Sequence, residues 1–168
     1  MKYLSIVLTI FVFSLSAQTT MAQSKAEKER SDFLRNSKVL ENKPFDPDAE
    51  IVRSIGFKWL VETDQVSVTV CSSIMKLNPE KKNKFKGELL MQMTFGMAVF
   101  KLENPDKKDD EKAATLAGVE SMLRTYAVML SENEKAKNTE LDNLVAKEKS
   151  GELKALVDAT FDAGKCGK

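Results

Sequence analysis

The stretch NPEKKNKFKGELLMQMTFGMAVFKLE, residues 78–103, decides the fold. Asn78-Pro79 sets a good N-cap before a proline at the first helical position, where the missing N–H costs nothing. Phe85, Leu89, Met93, Met97 and Phe100 then recur every three or four residues, Leu90 widens the stripe, and Asn104-Pro105 ends it. That period is the signature of a helix with one apolar face. A rod of about 36 Å needs other helices to cover its stripe.

The flanking sequence supplies them. Asp109, Asp110 and Glu111 open a second long helix, where negative charge complements the helix dipole. Leu116, Val119, Leu123, Tyr126 and Leu130 form its apolar face. Thr139 is read as the cap of a shorter helix carrying Leu141, Leu144 and Val145, which Gly151 terminates. Leu153, Leu156, Val157, Thr160 and Phe161 line the last one. The strings LDNLV and LKALV are two short helices of similar design.

Residues 48–77 admit two readings. Ile51, Ile55 and Trp59 share one helical face, and so do Val66, Val70, Ile74 and Leu77. Alternation at Ile55, Phe57, Trp59 and Val61, and again at Val66, Val68 and Val70, also fits a hairpin within 55–70. A lone two-stranded hairpin is marginal without a cover, so two helices are favoured. The expected fold is all-α: one domain, a bundle of about five to six helices with one disulfide. The alternative is α+β with that hairpin.

Residues 1–22 read as a secretory signal peptide: Lys2, an apolar run from Leu4 to Leu15, and a small residue at Ala22. The apolar run is too short for a comfortable membrane span of about 20 residues. Residues 23–44 are highly charged and are expected to form a polar, mobile leader with a short helix near Phe33-Leu34. The helical domain is then 45–168. No cysteine stands at the cleavage site, so no lipid anchor is expected, and no transmembrane segment in the mature chain.

Composition narrows the chemistry. The whole chain has 26 basic and 25 acidic residues, and the signal segment holds one of the basic ones, so the remainder is neutral. Nucleic-acid binding normally shows a basic excess gathered in a patch, and here the signs alternate; nucleic acid is not an expected partner. There is no histidine, which removes the usual general base, the commonest metal ligand and the near-neutral pH switch. Ser-His-Asp and Cys-His catalysis fall with it. Cys71 and Cys166, in an exported chain, are expected to form a disulfide.

The remaining candidates have plain structural readings. Met93 and Met97 share a face and are soft ligands suited to Cu(I), but methionines also fill helical cores; no metal or cofactor is expected. Gly96 and Gly118 interrupt their helices, and the favoured reason is that the two helices cross there. Glu88, Glu103 and Glu120 lie on or near apolar stripes, and nothing pairs any of them as a glycosidase requires. Asp106, Asp109, Asp110 and Glu111 lack the spacing of a calcium loop. Trp59, Met93, Gly96, Met97 and Phe100 are the candidate ligand or partner contacts.

The functional expectation is an exported, non-enzymatic, protein-binding module of the cell envelope, periplasmic or extracellular, of the inhibitor, immunity or assembly-factor type. The alternative is a carrier of a small apolar ligand in the Met- and Phe-rich helix.

Overall fold

The computed structural model describes residues 25–71, 73–74 and 84–166. The signal-peptide reading of 1–22 and the Asn78-Pro79 cap lie outside them. The chain divides into two compact units, Met1–Arg35 and Asn36–Lys168. Residues 25–42 are helical. In the first unit, Asp32 accepts from Lys28 at 2.8 Å and from Arg35 at 2.7 Å. Contacts at this helical spacing support an exposed helix.

The helical residues 36–42 (α1) belong to the second unit, which therefore begins before Phe45. Ser37, Leu40 and Pro44 are buried. The charged segment is helical well beyond Phe33-Leu34. Five further helices follow: α2 (Ala49–Glu62), α3 (Lys86–Glu103), α4 (Glu111–Glu132), α5 (Thr139–Lys149) and α6 (Leu153–Asp162). Short 3-10 turns stand before α4 and before α5. No strand occurs among the described residues, so the all-α reading holds and the hairpin does not.

Helix α3 is the central element. It begins at Lys86, later than expected, because Lys84 and Phe85 form a turn. Phe85 packs on Phe45 with ring centroids 5.0 Å apart. Leu89, Met93 and Met97 are completely buried, and Phe95, Ala98 and Leu102 are buried around the same helix. A helix apolar on several sides is a core helix. Helix α4 runs antiparallel to it, and the two form the most extensive pair in the unit.

Two glycines set how closely those helices approach. A Cβ on Gly96 would stand 2.6 Å from Ser121 Cβ and 3.0 Å from Gly118 Cα. A Cβ on Gly118 would stand 2.6 Å from the Met93 carbonyl oxygen and 2.5 Å from Met97 Cγ. The crossing inferred from sequence is therefore where the two backbones meet.

Helices α5 and α6 close the core over α4. Asp110, at the start of α4, accepts from Ala113 N at 3.0 Å. The cap of α5 is Asn138 rather than Thr139, its Oδ1 accepting from Glu140 N and Leu141 N. Tyr126 Oη ties α4 to that cap: it donates to Asp142 Oδ1 at 2.7 Å and accepts from Asn138 N at 3.0 Å. Gly151, at φ 76°, takes the left-handed turn that lets the chain re-enter α6.

The second helix expected at 66–77 is absent over its described start. Residues 66–71 are neither helical nor paired as a strand, and 75–83 are outside the described residues. Two tertiary contacts hold this extended segment. Buried Lys101 donates to Ser67 O at 2.9 Å and pairs with Glu111 at 2.5 Å. Cys71 is bonded to Cys166, with Cα atoms 5.0 Å apart. Ser73 Oγ adds a bond to Lys165 O at 3.0 Å.

Candidate functional site

Two features stand out against this frame: the outward face of α2 and a groove between α1, α3 and α4. Helix α2 carries the stripe Ile51, Ile55, Trp59 that shares one helical face in the sequence. Its buried positions are Ala49 and Gly56 instead. Arg53 anchors the helix by donating to Pro44 O. Ile51 is 61% exposed, Ile55 58%, Phe57 49% and Val61 68%. Trp59 is half-buried beside this surface. Scattered exposed apolar residues are ordinary, whereas several in successive turns of one helix mark a contact surface.

The groove is lined by polar and apolar groups alike. Its volume is about 180 Å³, and Gly96 and Ala117 line it next to the helix crossing. Val99 and Phe100 give it an apolar wall. At its centre Glu41 of α1 accepts both nitrogens of an Arg124 fork, at 2.7 and 3.1 Å. Ser121 Oγ donates to the same carboxylate at 2.5 Å. Buried Gln92 Nε2 donates to Ser121 Oγ at 3.0 Å and to Ser37 O at 3.2 Å. This network clamps α1 onto α3 and α4. Charge-assisted, two-pronged bonds of this kind are the stronger sort, and they hold Arg124 above its ordinary pKa.

Two more carboxylates border the groove. Glu103 lies 3.7 Å from Lys38. Glu120 forms no hydrogen bond or ion pair among the described residues, and burial raises its carboxyl above the ordinary value. Arg124 opposes that shift and Glu148 adds to it. Sequence reasoning singled out Glu103 and Glu120 without a way to bring them together; the groove does so.

The other candidate residues are placed as follows. Met93 and Met97 are in the core, packed where Gly118 admits α3. Gly96 serves the helix crossing and also lines the groove, as does Phe100. Glu88 lies apart from the groove lining, and the acidic run 106–111 is spent on a turn, the α4 cap and the Lys101 pair. No metal-binding group of three or more carboxylate, cysteine or histidine side chains occurs among the described residues. Nor is any helix there long and apolar enough to cross a membrane.

Fold and sites together define a disulfide-tied, all-α bundle with exposed apolar residues on one helix and a groove of mixed lining. Beyond that class, no family model, curated protein or solved structure matches the chain.

Proposed function

We propose that the protein is exported and works as a protein-binding module of the cell envelope, docking its partner on the outward face of α2. The observation that carries this reading is the exposure of Ile51, Ile55, Phe57 and Val61 along one helix. Covering a half-exposed side chain of this size is worth on the order of 1 kcal/mol, so four together can anchor a specific interface. Charged residues Lys58 and Glu62, 3.8 Å apart, stand among the apolar positions on the same side of the helix. The partner is thus a protein that offers a complementary apolar surface, such as a toxin, an envelope enzyme or an assembly component.

Export is supported by the form of residues 1–22 and by a disulfide that an oxidising compartment preserves. The reading is non-enzymatic because the chain has no histidine and the Ser121 hydroxyl is already spent on Glu41. Carriage of an apolar ligand along the Met-rich helix is the weaker alternative, since Met93 and Met97 are packed against Gly118.

The test pairs affinity capture from an envelope fraction with an Ile51→Ser/Ile55→Ser variant. The wild-type protein should return one stoichiometric partner, and the variant should lose it without a change in melting temperature. Equal capture by both, or recovery of the protein alone, overturns the assignment. A wild-type chain that dimerises through these residues replaces the foreign partner with a second copy.

A further inference from the structure

Two buried side-chain oxygens have no hydrogen-bond partner among the described residues: Glu111 Oε2 and Thr115 Oγ1. They stand one turn apart on α4, where side chains share a face with Cβ atoms about 5–6 Å apart. Thr115 is completely enclosed. An orphaned buried oxygen is costly enough that folded proteins nearly always supply it with a partner.

Lys101 is the third member of the group. Gly96 of α3 meets Gly118 of α4 at the helix crossing. The helices run antiparallel, so Lys101, five residues beyond Gly96, stands level with residue 113, between Glu111 and Thr115. Its ammonium has three hydrogens, of which one goes to Ser67 O and one to Glu111 Oε1. The third finds no acceptor among the described residues. A nitrogen 2.5 Å from Oε1 also lies close to Oε2 of the same carboxylate.

These three groups select what joins them. One is a donor, one an acceptor, and the hydroxyl can be either. Lys101 and Glu111 cancel in charge, so a cation would meet the ammonium and an anion the carboxylate. An apolar group would satisfy none of the three. We propose that a single internal water molecule binds here, accepting from Lys101 Nζ, donating to Glu111 Oε2 and sharing a hydrogen bond with Thr115 Oγ1. Three bonds are the usual complement of a buried water. The Glu111 side chain is 39% exposed and gives that water a way in. The extended segment at Ser67, held by Lys101, is thereby tied to α4 through Thr115 as well as Glu111. None of this depends on what docks on α2.

Thr115→Val tests the water by the sign of its effect, since the two residues match in branching and nearly in helix propensity. With the water in place, the variant loses one of its bonds and the urea midpoint should fall by about 0.5 M. With an orphaned hydroxyl instead, the methyl relieves a buried polar atom and the midpoint rises. A crystal structure of the wild-type protein should show one density peak within hydrogen-bonding distance of Lys101 Nζ, Glu111 Oε2 and Thr115 Oγ1. The peak should persist in Thr115→Ser, which keeps the hydroxyl, and disappear in Thr115→Val. A raised or unchanged midpoint for Thr115→Val, a wild-type structure without the peak, or a peak undiminished in Thr115→Val overturns the proposal.

Discussion

Replacing Gly118 by alanine puts the packing of α3 on α4 to a quantitative test. In an open helix the change stabilises by about 1 kcal/mol, because alanine loses less backbone entropy. At this position the new methyl would lie 2.6 Å from the Met93 carbonyl oxygen and 2.5 Å from Met97 Cγ. Met97 can adjust its side chain, but the Met93 carbonyl moves only with the backbone of α3. Forcing a methyl into a filled core costs typically 1–3 kcal/mol and sometimes more. A backbone obstacle puts Gly118 at the upper end, for a net loss of about 2 kcal/mol after the propensity gain. In a chain of this size that lowers the melting temperature by roughly 4–8 °C. Gly87→Ala is the internal control: nothing lies within 4 Å of its Cβ position, so it should be neutral or mildly stabilising. Gly96→Ala should also destabilise, and the double variant should lose less than the sum, since helices already pushed apart admit the second methyl. Thermal and urea unfolding followed by circular dichroism measure all four proteins. A Gly118→Ala protein as stable as Gly87→Ala would refute the close crossing.

Three further outcomes follow from the fold. Cys71→Ser/Cys166→Ser should cost about 4–5 kcal/mol, the loop entropy for a bond between residues 95 apart; urea midpoints check it, and an unchanged midpoint would deny the bond its structural role. Lys101→Met should cost about 3 kcal/mol, because it strips the donor from Ser67 O and leaves Glu111 uncompensated; the figure sits at the low end since the Glu111 side chain is 39% exposed. For Tyr126, burial and the bond to Asp142 push the phenol up to about 12 from 10.0. Below pH 10 folded and unfolded chains both keep the proton; between 10 and 12 only the unfolded chain releases it, so stability falls as pH rises through that window. Tyr126→Phe should flatten that part of the profile relative to wild type, and identical profiles would rule out the effect.

Much of the bundle was legible in the sequence, for reasons that residues make plain. Leu89, Met93 and Met97 repeat at helical spacing and are all buried, and a pair of mid-helix glycines in consecutive helices is hard to explain except by contact. Periodicity does not say whether a face is covered, however. Ile51, Ile55 and Trp59 lie on one face of a real helix, yet its buried positions are Ala49 and Gly56. The valines from 66 to 70 fit helix and strand equally, and distant groups, Lys101 and Cys166, decide that the chain is neither. Residues 36–42 were hidden by their charge: Glu41 reads as solvated until Arg124 and Ser121 arrive from a helix some eighty positions away. The groove was invisible for the same reason. Each of its polar residues is unremarkable alone, and only the crossing brings them together.

The bond between Cys71 and Cys166 also sets a mechanical property. When the chain is pulled from its two ends, tension passes through the sulfurs and bypasses everything between them, α3 to α6 included. The enclosed residues, 95 positions in span, would otherwise contribute roughly 300 Å of extensible length. Helices α3 to α6 are therefore shielded from load, while α1 and α2, which precede Cys71, lie in the force path, and with α1 goes one wall of the groove. A partner gripping α2 pulls on a helix outside the bonded loop and leaves the part between the sulfurs at rest.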